Sequence, residues 1–245
     1  MSNSLAIVLA AGKGSRMNSD IPKPLHKLNN KTMIYTIVEK IYISNLFEKI
    51  IVVIGLNSDN IIQNLKDFES KIIYIIQKEQ KGTGHALKCC KIFLNKYPSY
   101  KSLILFADCP LLSIETIKLI INQDAGCIAT ISKKENPTGC GRIILDKEGY
   151  ILNSIEEKDC TEEQKKIKLV NVGIYYIKNK LIIEHVDKIK NNNKQKEYYL
   201  PDLMIILIKL NHKVVPINLL NQKEFINVNT QEDLTEANNI IKEFI

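Results

Sequence analysis

Leu5-Ala6-Ile7-Val8-Leu9-Ala10-Ala11-Gly12-Lys13-Gly14-Ser15-Arg16-Met17 is a short apolar run that breaks into a small, basic loop with two glycines. The run is too short for a helix and has the composition of a buried parallel strand. Gly12 and Gly14 permit positive φ and close backbone approach, so successive N–H groups can converge on phosphate oxygens. Lys13 and Arg16 add positive charge. Met17 stands where a dinucleotide-binding loop carries its third glycine, and G-x-x-x-x-G-K-[ST] occurs nowhere in the chain. Taken alone, the segment fits a phosphate cradle and an ordinary strand-to-helix turn equally.

Immediately downstream, Ile21-Pro22-Lys23-Pro24-Leu25-His26 cannot be helix interior, because each proline removes a donor and extends its predecessor. Lys23 is therefore held on a stiffened segment, as a phosphate ligand or a solvated loop lysine, while His26 reads as a packing or capping residue. Apolar spacing predicts a helix over 32–43, a strand over 49–54, a helix over 59–68 capped by Asp59, and a strand over 72–76. That alternation implies a Rossmann-like, mostly parallel sheet with helices on both faces and ligands at the carboxyl ends of the strands.

Other strand ends carry suitable residues. After the third strand, Gln77 to Ala86 forms a second small polar loop, with Gly82-Thr83-Gly84 at a helix start suited to an anion or a sugar hydroxyl. Gln77 offers a donor and an acceptor, matching a pyrimidine edge. A fourth strand over 102–107 delivers Asp108, placed for Mg²⁺ or for a helix cap, although Ser113 is the better cap. Further strands are expected over 126–132 and 169–177, with a hairpin over 143–156 after the turn cluster 137–142. The hairpin and the 169–177 strand form an antiparallel extension over the open side of the pocket, with Glu156 and Asn171 as polar contributors or simple rim residues. Late strands are expected over 213–219 and 225–228, and a closing helix over 230–244 has Thr230 and Asp233 as a capping pair.

The 245 residues are 45% hydrophobic, enough for a substantial core in a single α/β domain. The 34 Lys+Arg exceed 27 Asp+Glu, but the excess of +7 is scattered rather than gathered in one arm, so nucleic acid and membrane are not expected partners. Six cysteines without a C-x-x-C pair read as reduced thiols in a cytoplasmic protein. No signal peptide is expected.

Leu9 to Met17, Pro22-Lys23, Gln77 with Gly82 to Ala86, Asp108 to Leu111, Pro137 to Arg142, Glu156 to Asp159, Asn171-Val172-Gly173 and Glu197-Tyr198-Tyr199 resemble, in order and spacing, the sugar-1-phosphate nucleotidylyltransferases. The likeness is greatest to the uridylyltransferase domain of the bifunctional N-acetylglucosamine-1-phosphate uridyltransferases and covers nearly the whole chain. The resemblance implies transfer of UMP from UTP to N-acetylglucosamine 1-phosphate, with a nucleotide-binding half over 1–110, a sugar-binding half over 111–228 and a closing helix over 229–245. Arg16 and Lys23 would hold the phosphates. Leu9, Ala10, Ala11, Gly12, Gly14, Gln77, Gly82, Thr83, Phe106 and Ala107 would contact the nucleotide; Gly141, Glu156, Asn171 and Tyr199 the sugar; and Asp108 with Asn229 would hold Mg²⁺.

Three departures from the family pattern stand out. Ala107 replaces a usual glycine, and Asn227 replaces another, where Asn is expected to preserve a left-handed turn. The chain stops at Ile245, so neither acetyl transfer nor the trimer of the bifunctional relatives is expected. A sibling enzyme using another sugar phosphate or nucleotide, and a catalytically silent nucleotide-sugar sensor, are the alternatives.

Overall fold

A computed structural model describes residues 3–12 and 14–243. Lys13 and the expected last helical residue, Phe244, lie outside the described residues. The strands are Ser4–Leu9 (β1), Ile50–Ile54 (β2), Ile72–Ile76 (β3), Lys101–Phe106 (β4), Cys127–Lys133 (β5), Arg142–Leu145 (β6), Ile151–Ile155 (β7), Leu169–Lys178 (β8) and Val214–Asn218 (β9). The main helices are Met33–Ser44 (α1), Asp59–Asn64 (α2), Thr83–Cys89 (α3), Ile114–Ile121 (α4), Asn179–His185 (α5), Pro201–Lys209 (α6) and Gln231–Glu243 (α7).

Among the described residues these strands form one nine-stranded sheet, ordered β9-β5-β8-β4-β1-β2-β3, with the hairpin β6–β7 attached through β8. β1 runs parallel to β2 and β4, β2 parallel to β3, and β9 parallel to β5. β8 is antiparallel to both β4 and β5. The antiparallel part is thus continuous with the central sheet, and only the hairpin stands off its main path.

Every residue of β1 is buried because both faces of the sheet are covered. Leu5, Ile7 and Leu9 point into a core with Leu87 of α3 and Leu203, Met204 and Leu207 of α6. Ala6 and Val8 point the other way, against Ile34, Ile37, Val38 and Ile41 of α1 and Ile117 and Ile120 of α4. This two-residue alternation explains the uninterrupted apolar run, and each fully buried branched side chain contributes roughly 1.5–3 kcal/mol. A third, smaller core gathers Met17, Leu28, Met33, Leu111, Val228 and Ala237 beneath α7.

Helix ends follow the capping chemistry of the sequence at three points. Thr32 accepts from Tyr35 N at α1, Ser113 accepts from Thr116 N at α4, and Thr230 and Asp233 exchange backbone bonds at α7. Asp59 is not a cap. The carbonyl of Ser58 receives the first helical bonds, so Asp59 is already inside α2, which stops at Asn64 before a separate turn over Lys66–Phe68. The expected strand over 225–228 is also absent. Phe225 and Val228 enter different cores, and Val228 N makes a single backbone bond, to Asp108 O at 2.9 Å, where a strand would need a ladder. No helix among the described residues is long and apolar enough to cross a membrane.

Candidate active site

The β1 and β4 ends lie side by side. Ala107 N donates to Leu9 O at 3.1 Å and Ala10 N to Val53 O at 2.8 Å, after which the chain leaves the ladder at Ala11 and Gly12. Among the described residues of this loop Gly14 adopts positive φ, at +64°, and Gly12 does not use the freedom its type permits. A Cβ on Gly12 would meet open space, so the protein itself does not demand glycine there. At Gly14 it would lie 2.5 Å from Lys23 Cβ. Gly14 is therefore the glycine that admits Lys23 to the site.

Four predicted residues meet around that lysine. Lys23 Nζ pairs with Asp108 Oδ2 and donates to Asn229 Oδ1 at 2.8 Å, and Arg16 NH2 donates to the same Asn229 oxygen at 2.8 Å. These residues come from both ends of the chain. Asp108 is fixed because Val228 N donates to its carbonyl and because Lys40 of α1 donates to Pro110 O and Leu112 O at 2.8 and 2.9 Å. Asn229 is fixed by its backbone N–H to Asp233 Oδ2, 2.8 Å, and by its amide nitrogen to Asn227 O, 2.9 Å. Asn227 is not left-handed, so its expected turn role falls away; its side-chain oxygen instead accepts from the Cys109 thiol at 3.0 Å.

Gln77 continues β3, with its N–H on Ile54 O, and its side chain is buried beside the α3 start. Gly82 has φ +106°, and a Cβ there would sit 2.6 Å from Tyr198 O. The segment before α6 is laced to this loop: Tyr198 N donates to Lys81 O, Gly84 N to Tyr198 O, and Leu200 N to Thr83 Oγ1 at 3.0 Å. Thr83 thus ties the loop after β3 to the segment that bears Tyr199. The ring of Phe106 packs over Gly173, whose φ is +91° and where a Cβ would fall 2.8 Å from the ring. Ala107 is buried, with its N–H held by Leu9.

The remaining predicted residues meet beyond β4. Gly141 O accepts from Asn171 N at 2.9 Å, and a Cβ on Gly141 would lie 3.3 Å from Glu156 Oε1. Asn171 already spends much of its amide on the fold, donating to Tyr175 Oη at 2.7 Å and accepting from Gly173 N at 3.0 Å. Glu156 and Tyr199 line a cavity of about 280 Å³ with Ser154, Asp159, Lys190 and Asp202. Burial, reinforced by the nearby Asp202 and Asp159 carboxylates, pushes the Glu156 carboxyl up to about 7. Burial and Asp159 push Asp202 up to about 6. Tyr199 accepts from Gln195 Nε2 at 2.8 Å, and burial raises its hydroxyl to about 12, so it stays protonated.

Sequence reading missed Arg142 and Asp202. Arg142 is 1% exposed and binds Glu157 at 2.6 Å and the carbonyls of Cys140 and Lys165, bracing the hairpin that presents Gly141 and Glu156. A lone arginine after a Gly-Cys-Gly turn was its available signal. Asp202 follows Pro201 at a helix start, where an acidic residue also suits the helix dipole. That ordinary explanation conceals its place in the cavity.

The chain belongs to the nucleotidyl transferase family, whose sequence profile matches residues 5–242. It is 39% identical over 247 residues to a probable UDP-N-acetylglucosamine pyrophosphorylase of Acanthamoeba polyphaga mimivirus, covering 96% of this chain and 95% of that one. It is 37% identical over 248 residues to the bifunctional protein GlmU of Clostridium novyi, covering 97% of this chain and 52% of the relative. The chain therefore spans about half the length of that bifunctional relative. Among solved structures, a UDP-glucose pyrophosphorylase complexed with UDP-glucose shares the fold at TM-score 0.79 and 18% identity, with both chains fully covered.

Proposed function

We propose that this chain transfers UMP from UTP to N-acetylglucosamine 1-phosphate, releasing pyrophosphate. The observation that carries the reading is the convergence of Arg16 and Lys23 with Asp108 and Asn229 at the ends of β1 and β4. The named relatives add the nucleotide and sugar class. In this reading residues 1–110 bind nucleotide, residues 111–228 bind sugar, and the reaction is cytoplasmic.

A phosphate monoester is already an anionic nucleophile at neutral pH, so no general base is required. One of its oxygens attacks the α-phosphorus of UTP in line, and pyrophosphate leaves. Arg16 and Lys23 stabilise charge on the transferring and departing phosphates, so catalysis is positioning plus charge neutralisation. Leu9 to Gly12, Gln77 and the Gly82–Thr83 backbone hold the nucleoside. Glu156, Asn171, Gly141 and Tyr199 receive the sugar.

The residues also fit Mg²⁺. Asp108 Oδ2 and Asn229 Oδ1 both bind one ammonium, Lys23 Nζ, so two hard oxygens already share a cationic point. Among the described residues no cluster of three or more His, Cys, Asp or Glu is arranged for a metal, which suits an ion that takes its other ligands from phosphates. Bound there, Mg²⁺ would supply charge neutralisation between the two anionic reactants.

The test is pyrophosphate release across UTP, CTP, dTTP and ATP with glucosamine, N-acetylglucosamine and glucose 1-phosphates, with and without Mg²⁺. Turnover confined to the UTP and N-acetylglucosamine 1-phosphate pair with Mg²⁺ is expected. A different preferred pair would move the substrate assignment, and no turnover in any pair would leave a nucleotide-sugar sensor.

A further inference from the structure

Gln77 is 3% exposed, and its amide cannot turn freely. Its nitrogen Nε2 lies 3.1 Å from Gly82 O and 3.0 Å from His85 Nδ1. A carbonyl oxygen only accepts, so Gly82 fixes which end of the amide faces it. The second proton of the amide then points at His85 Nδ1, which must offer a lone pair. His85 is thereby held as the neutral tautomer with its proton on Nε2. Among the described residues nothing bonds the other end of the amide, Oε1, and that oxygen is not sealed in the core.

This arrangement has a chemical consequence that rests on the nucleotide reading above. An amide whose nitrogen is committed presents only an acceptor to a ligand. Uracil has a donor at N3, whereas cytosine has a lone pair there. We infer that His85 is a positioning residue for base selection: by accepting from Gln77 it holds the amide oxygen towards the nucleotide and favours uracil over cytosine. A protonated His85 would turn an N–H towards the amide nitrogen and break this hold. Reversing the amide is opposed by Gly82 O, which would then face another oxygen.

The surroundings keep the ring neutral near pH 7. Burial lowers the His85 pKa first, followed by repulsion from Lys81 on the preceding loop, while Glu79 on that loop opposes the shift and Lys88 one turn along α3 adds to it. From the segment before α6, the ring of Tyr198 faces His85 at 6.2 Å between centroids.

The test measures kcat/KM for UTP and CTP, with N-acetylglucosamine 1-phosphate and Mg²⁺, from pH 5.5 to 8, for the native chain, His85→Leu and His85→Asn. The UTP-to-CTP ratio cancels titration of the shared triphosphate. His85→Leu is expected to lower the ratio by about tenfold at pH 7.5, consistent with loss of one buried hydrogen bond. His85→Asn, whose side-chain oxygen accepts but does not titrate, should restore the ratio and keep it flat with pH, whereas the native ratio falls at acid pH, below the ordinary histidine range. An unchanged ratio in His85→Leu would overturn the inference. Should His85→Leu fail to fold, a native ratio as flat as that of His85→Asn would do the same. Native enzyme without preference for UTP over CTP overturns the uracil assignment itself, and His85 with it.

Discussion

Lys23 and Arg16 at the phosphate end are bonded to Asp108 and Asn229, so groups of opposite character meet there. At the end proposed to take the sugar, Glu156, Asp202 and Asp159 meet instead, three acids around one small cavity. In the first arrangement each group has a hydrogen-bonding partner. The second keeps its protons chiefly because burial penalises the carboxylate charge, with repulsion from the neighbouring acids adding to it, so Glu156 is pushed up to about 7 and Asp202 to about 6. In the proposed function, fixed charge would meet the phosphates and carboxyls that can donate or accept would meet the sugar hydroxyls.

The strongest way to break this contrast is to remove the fixed charge. Arg16→Ala and Lys23→Ala should each lower kcat by ~10² or more in the pyrophosphate assay. Near-normal turnover of Arg16→Ala would sink its assignment.

At the other end, pH should reveal the retained protons. In the unfolded chain Glu156 ionises from about 4.5, but in the fold it keeps its proton to about 7. The folded state binds the extra proton in that window, so stability falls as pH rises from 4.5 to 7. Glu156→Gln should flatten this fall by roughly 2–3 kcal/mol in urea unfolding at pH 5 and pH 8. Parallel native and variant curves would refute the buried-acid reading.

Gly14→Ala sharpens the phosphate side. It adds a left-handed alanine, costing about 1–2 kcal/mol, and a Cβ that presses on Lys23. Both Tm and kcat should drop, whereas Gly12→Ala should leave Tm near native because, among the described residues beyond its chain neighbours, nothing crowds that position. The smallest expected effect lies between the two ends. Thr83→Val removes the acceptor for Leu200 N and should cost about 1 kcal/mol in urea unfolding.

The sequence made the parallel strands and most strand-end residues legible because burial on both faces writes long apolar runs, and polar residues after them have few other reasons to be there. The antiparallel run of β8 was legible, but its place was not: nothing local in residues 169–178 says that the strand lies inside the central sheet, between β4 and β5, rather than over the open side of the pocket. Phe225 and Val228 looked like a strand because each is buried, yet they serve separate cores. His85, Arg142 and Asp202 stayed hidden for a different reason. His85 is proposed to act through the amide of Gln77, Arg142 braces a hairpin through Glu157 and Lys165, and Asp202 has an ordinary explanation as a helix-start acid, so only the three-dimensional contacts reveal them.

The position of β8 also bears on how the chain is made. β4 and β5 cannot be joined until residues 169–178 have been synthesised, because β8 supplies the ladder on both sides. Until then a nascent chain carries two open edges in apolar strands, the kind of surface that invites pairing with another molecule. The strand that bridges β4 and β5 is therefore also an element whose late arrival prolongs the interval during which aggregation competes with folding. Chains ending before residue 169 should be the most dependent on chaperones.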